Sequence, residues 1–190
     1  MGEIETVAII GGGGLARTIA LAAARGGYRT ILQNILPANL RQAGDEVREG
    51  LEKAVQLGQI SQAEAVSVSH RLEYVATVEE AARPADLVIE AVPDEIESKL
   101  EIFTLLDKIC RPHTILACTT SFLSVSEIAS VTYRDGQILG MRFPGFRDDS
   151  KRLELVRGRE TNDATVTACV EFGRQMHLEV VVVAECESGG

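Results

Sequence analysis

Basic runs, long apolar runs and closely spaced cysteines are all missing from these 190 residues. With 19 basic against 28 acidic residues the net charge is −9, and no Lys/Arg cluster offers a footprint for a phosphate backbone. Nucleic acid is therefore excluded as an expected partner. No apolar stretch reaches the ~18 residues needed to span a bilayer, so no membrane partner is expected either. The opening MGEIETVAII is acidic and enters a strand directly, unlike a secretion signal. It matches a loose myristoylation pattern at Gly2, but that residue sits only a few positions before a core strand. The four cysteines (Cys110, Cys118, Cys169, Cys186) form no Cys-x-x-Cys pair. They are expected to be buried free thiols in a reducing compartment, which points to the cytoplasm. Neither a low-complexity linker nor an internal repeat divides the chain, so residues 1–190 read as one domain.

What is present is alternation. With 45% hydrophobic and 25% charged residues the chain can build a real core. Apolar runs at 6–10, 28–33, 72–78, 85–92, 114–120, 137–141, 153–156 and 178–184 read as strands. Between them, 15–25 and 95–109 read as helices, the latter from the period of Ile96, Leu100, Phe103 and Leu106. Residues 38–68 read as two helices broken at Gly58, the second capped by Ser61. Thr161 or Asn162 caps a last helix reaching about Met176. Strands alternating with helices predict an α/β fold with a mainly parallel, doubly wound sheet, carrying a helical pair inserted after the second strand.

Between the first strand and first helix, VAIIGGGGLARTIA carries Gly11-x-Gly13-x-x-Ala16. A tight turn is needed at Gly11, a close approach of pyrophosphate to backbone at Gly13, and close helix–strand packing at Ala16. The helix N-terminus at Gly14 and Leu15 then presents free N–H groups to phosphate. These features predict a Rossmann-type dinucleotide site. Asn34 stands about 20 residues on, where an acidic side chain usually accepts from the 2′-hydroxyl. Its neutral amide should discriminate less between NAD and NADP.

Later segments add ADLVIEAVPDEIESKLEIFTLLD, HTILACTTSFLSVSEIA, ILGMRF and LELVRGRETND. In this order and spacing the chain resembles the N-terminal NAD-binding domain of the L-3-hydroxyacyl-CoA dehydrogenase (3-hydroxybutyryl-CoA dehydrogenase) family of fatty acid metabolism. The resemblance implies an NAD-linked oxidoreductase acting on acyl-CoA-like substrates. It implies a histidine base, a glutamate that orients it and a serine that holds the substrate oxygen. The serine falls on Ser121, the glutamate on Glu154, and the histidine on Arg142. Lys99, and Asp94 in place of the usual glutamate, fall where the family contacts the nicotinamide side of NAD. Thr119 replaces the asparagine of a Ser-Asn-Thr-Ser stretch, Gly145-Phe146 replaces an Asn-Pro, and Leu57 replaces a lysine resembling a CoA contact. The family's C-terminal helical domain, its dimer interface, does not follow within the 190 residues. A helical partner domain or homo-oligomer is therefore a possible completion.

An arginine, with a pKa above about 12, cannot accept the proton. His70, His113 and His177 are expected away from the cleft. Three functions follow: an incomplete dehydrogenase, a non-catalytic dinucleotide-binding or regulatory module, or an interaction protein with a vestigial glycine loop. Arg142 is expected to pair with Glu154, because a partly buried carboxylate that lost its histidine needs a new partner. No metal site is expected.

Overall fold

The computed structural model describes residues 3–34, 36–144 and 151–185. Gly2, Gly145, Phe146 and Cys186, all singled out in the sequence, lie outside the described residues. Eight strands form one sheet: β1 (Thr6–Ile10), β2 (Arg29–Gln33), β3 (Leu72–Val75), β4 (Leu87–Glu90), β5 (Ile115–Cys118), β6 (Ile138–Arg142), β7 (Arg152–Arg157) and β8 (Glu179–Ala184). Their order is β3-β2-β1-β4-β5-β6-β7-β8. Every neighbouring pair is parallel except β6 and β7, which run antiparallel. The Rossmann-type, mainly parallel α/β fold expected from the alternation is the fold observed.

The inner strands are apolar on both faces because helices cover both faces. On β1, Val7 and Ile9 point into one core layer with Ile19 of α1 (Gly14–Arg25). The same layer takes Val47 of α2 (Pro37–Gln56), Val68 of α3 (Gln62–Arg71) and Phe172 of α7 (Asp163–Gln175). Ala8 and Ile10 point the other way, toward Ala81 of α4 (Val78–Ala82), Phe103 of α5 (Ile96–Ile109) and Ile128 of α6 (Val125–Ala129). That split is the period-2 alternation of a strand written into two cores.

Local signals set the boundaries. The inserted pair breaks at Gly58, whose φ of +68° suits a residue without Cβ. Ser61 and Glu64 form a capping box that starts α3, and Asn162 caps α7 by accepting from Thr165 N–H. Two short helices, α4 and α6, were not expected. The first occupies part of what reads as the third strand, which ends at Val75; Thr77 caps α4 in its own capping box with Glu80. The free thiols of Cys110, Cys118 and Cys169 are buried as expected. Burial pushes Cys110 up to about 11 and Cys118 up to about 12, so both are inert at neutral pH.

Among the described residues no helix is long and apolar enough to cross a membrane, and no cluster of His, Cys, Asp or Glu could hold a metal.

Candidate functional site

A cleft of about 780 Å³ opens at the carboxyl ends of the parallel strands, where β1 and β4 are neighbours and the chain order reverses. One wall is the glycine loop. Gly11 has φ +132° and donates its N–H to Gln33 O at 3.1 Å; a Cβ here would sit 2.5 Å from Ala91 O. Only glycine fits that approach of loop to strand β4. Gly13 is different: its backbone is extended, and a Cβ would meet nothing within 4 Å. The space beside it belongs to the cleft.

Gly13 also starts α1 without a side-chain cap, and the first turn carries no acidic residue. The first N–H groups of the helix, at Gly14 and Leu15, thus line the cleft with their partial positive charge unopposed. Ala16 is completely buried and supports the loop through packing alone. Arg17, which sequence reading passed over, ties the loop to α2: it lies 3.0 Å from Glu46 and 3.4 Å from Gly12 O.

Asn34 lines the cleft beyond the loop. Its Oδ1 accepts from Leu36 N–H at 2.8 Å and from the Asn39 amide at 3.4 Å, a local turn leading into α2. Because a backbone N–H must meet an oxygen, the amide orientation is fixed. Nδ2 then points to the glycine loop, 1.3 Å from where a Gly12 Cβ would be. The position expected to offer an acceptor offers a donor.

Under the floor lies a buried ion pair. Lys99 and Glu90 have fully inaccessible side chains; Nζ stands 2.8 and 3.0 Å from the two carboxylate oxygens and 2.9 Å from Thr119 O. All three donors of the ammonium are used. Burial pushes Glu90 above its ordinary range, and Lys99 pulls it back only in part. Lys99, expected on the nicotinamide side of a cofactor, has no accessible side-chain surface and does not line the cleft. On α5 it shares the face of Phe103 and Leu106 at i, i+4 and i+7, so it points inward. Glu90, the acid inside the apolar run LVIEAV, was the overlooked signal that a cation must meet it. Asp94 does reach the cleft wall. Its Oδ2 accepts from Ser121 N–H at 3.1 Å, and its buried Oδ1 lies 3.8 Å from Lys99 Nζ.

The other half of the cleft is lined by Ser121, Arg142 and Glu154. Arg142 and Glu154 are register partners across β6 and β7, so the sequence brought the right residues together. Their expected ion pair does not form. Arg142 donates Nε–H to Thr120 O at 3.0 Å, while Glu154 pairs with Arg152 at 3.0 Å. Arg152 and Glu154 sit two apart on one strand and thus share a face, so Arg152 competes for the carboxylate with Arg142 opposite, whose guanidinium is held by Thr120 O. His70, His113 and His177 do not line the cleft.

A glycine loop feeding an uncapped helix at the switch point of a parallel sheet defines a dinucleotide-binding domain. Comparison with known proteins narrows the class. Residues 6–186 match the family described as 3-hydroxyacyl-CoA dehydrogenase, NAD binding domain, and the chain belongs to that family. It is 33% identical over 181 residues to a probable 3-hydroxybutyryl-CoA dehydrogenase of Bacillus subtilis (strain 168), covering 95% of this chain and 63% of the relative. A peroxisomal fatty acid beta-oxidation multifunctional protein of Arabidopsis thaliana is 32% identical over 184 residues, covering 97% of this chain and 25% of that protein. The crystal structure of (S)-3-hydroxybutyryl-CoA dehydrogenase from Ralstonia eutropha superposes with a TM-score of 0.92 at 27% identity, covering 97% of this chain and 65% of that one. The chain thus spans less than two thirds of each of these relatives.

Proposed function

We propose that this chain binds NAD(H) in the cleft and performs little or no dehydrogenase chemistry by itself. The observation that carries the reading is Arg142: the family's base position holds a permanent cation, engaged with Thr120 O, and no histidine lines the cleft. The residues present fit the dinucleotide. The open space beside Gly13 and the unopposed N–H groups of Gly14 and Leu15 suit a pyrophosphate, and Asn34 and Asp94 suit its two riboses. A bound nicotinamide would supply a hydride donor or acceptor. What the chain lacks is the partner that moves the hydroxyl proton, a contribution of roughly 10²–10⁴ in rate. Ser121 remains in place to donate to a substrate oxygen, but Glu154 spends its charge on Arg152 and has no imidazole to orient. An acyl-CoA-like substrate and a helical partner domain, supplied in cis or by association, would complete the arrangement in the dehydrogenase manner.

Two measurements test this. NADH fluorescence titrated with the protein should show saturable binding. Acetoacetyl-CoA reduction should stay far below the roughly 10 per second of an ordinary enzyme. Absence of NADH binding would leave the glycine loop vestigial. A normal turnover would show that proton transfer does not need the missing base.

A further inference from the structure

Most of the charges around the cleft are matched by ion pairs. Beneath the floor Lys99 faces both Glu90 and Asp94, and Arg152 cancels Glu154. Arg142 is left over. Its Nε–H is spent on a backbone carbonyl, which orients the guanidinium, yet among the described residues its two Nη groups meet no acceptor and no carboxylate. Arg142 lines the half of the cleft away from the glycine loop, as Ser121 does.

From this geometry we propose that Arg142 makes the substrate half of the cleft a binding site for a small free carboxylic acid. The inference refines the function proposed above: it rests on its reading that the histidine base has been replaced, puts a free acid in place of the acyl-CoA-like substrate, and does not require cofactor binding. A half-buried guanidinium facing a neutral acyl group would leave its charge unmatched in a partly desolvated wall, which is unfavourable. A carboxylate satisfies it. The Nη fork is planar and presents parallel N–H donors at carboxylate spacing, a geometry that a lone lysine could not offer. Ser121, whose backbone N–H is anchored by Asp94, keeps its hydroxyl for a second oxygen of the ligand. A hydroxy or oxo acid, with an oxygen beyond the carboxylate, therefore uses both groups, whereas a thioester would present no charge to Arg142.

The test is direct titration of the whole 190-residue chain, by calorimetry or ligand-observed NMR, with acetoacetate, its methyl ester and inorganic phosphate. Acetoacetate should bind at roughly millimolar concentration. Arg142→Met should weaken it about ten- to hundredfold, the loss expected for a charged hydrogen-bonding partner. The methyl ester should bind more weakly and be indifferent to the substitution. If Arg142→Met fails to fold, Arg142→Lys carries the test, with an intermediate loss expected because the charge stays and the fork goes. Equal acetoacetate affinity in wild type and variant, or no binding of the acid at all, overturns the proposal. Phosphate binding as tightly as acetoacetate also overturns it, since the site would then be an anion site without carboxylate shape. A separate NADH titration reads the cofactor half, so loss of that binding leaves the acid result interpretable.

Discussion

Replacing Lys99 by methionine would remove one charge from the driest place in the molecule while keeping the side-chain length. Glu90 would then keep only the Val92 N–H, at 2.6 Å, and would lose an ammonium that touches both of its oxygens at 2.8 and 3.0 Å. Breaking one partner of a buried pair costs about 3–5 kcal/mol, because the remaining charge is stranded. For a domain of this size each kcal/mol moves Tm by about 2–4 °C, so Lys99→Met should melt roughly 6–20 °C below wild type. The pH dependence separates this cause from lost packing. Burial already holds the Glu90 carboxyl above the ordinary carboxylate range, and the attraction of Lys99 opposes that rise. Without Lys99 the folded value climbs further, so the folded state takes up a proton that the unfolded chain releases near its ordinary value. Stability of the variant must therefore fall as pH rises through that window, and recover as pH drops back through it. Urea unfolding followed by circular dichroism from pH 8 to pH 5 is the assay. The double variant Lys99→Met/Glu90→Gln should regain most of the loss, since a neutral amide still accepts from Val92. A single-variant loss under about 1 kcal/mol at neutral pH, or one constant across the pH range, would refute the reasoning.

Three further outcomes are expected. Gly13→Ala should stay within about 1 kcal/mol of wild-type stability, since its Cβ meets nothing, yet lose at least roughly tenfold in NADH affinity; unchanged affinity would place the pyrophosphate elsewhere. Asn34→Asp keeps the bond to Leu36 N–H and turns a donor into a charged acceptor. It should shift preference toward NADH over NADPH by about five- to tenfold, measured by paired titrations. Glu185 accepts from the Ser126 N–H and hydroxyl at the start of α6, and these bonds hold its carboxyl below the usual range despite partial burial. Its contribution, about 0.5–1 kcal/mol, is present above the ordinary carboxylate value and fades as pH falls through the lowered one; acid unfolding of Glu185→Gln should lack that component.

The strands were legible in the sequence because a parallel sheet covered on both faces demands continuous apolar runs, and TVAII or ADLVIEAV has no other use. The glycine loop was legible because its constraints are local: Gly11 answers to one carbonyl, Ala91 O, within reach of any Cβ. The five-residue helices α4 and α6 are too short for a helical period to emerge. Only their caps, Thr77 with Glu80 and Ser124, marked them. In the cleft, register was readable and partnership was not. Arg142 and Glu154 do face each other across two strands, but which acceptor and which cation each selects depends on Thr120 O and Arg152, set by how three strand ends converge. Lys99 shows the same limit from another direction: nothing local to its helix reveals the carboxylate it meets.

The reversal at β7 has a bearing on how such a unit can be joined to others. Strands β1 to β6 end at the cleft, whereas β7, antiparallel to β6, and β8, parallel to β7, both end at the opposite edge of the sheet. Thr6, where β1 starts, is on that far edge as well. Both attachment points of the described fold therefore lie on its back, and neighbouring sequence can be spliced on at either side without crossing the mouth of the cleft. Any following segment that is to cover the cleft must first travel back along the sheet by about the length of β8, six residues or roughly 20 Å. A cover carried on such a tether is mechanically separate from the floor it closes, so it can be exchanged, lengthened or supplied by another chain while the cradle beneath stays the same.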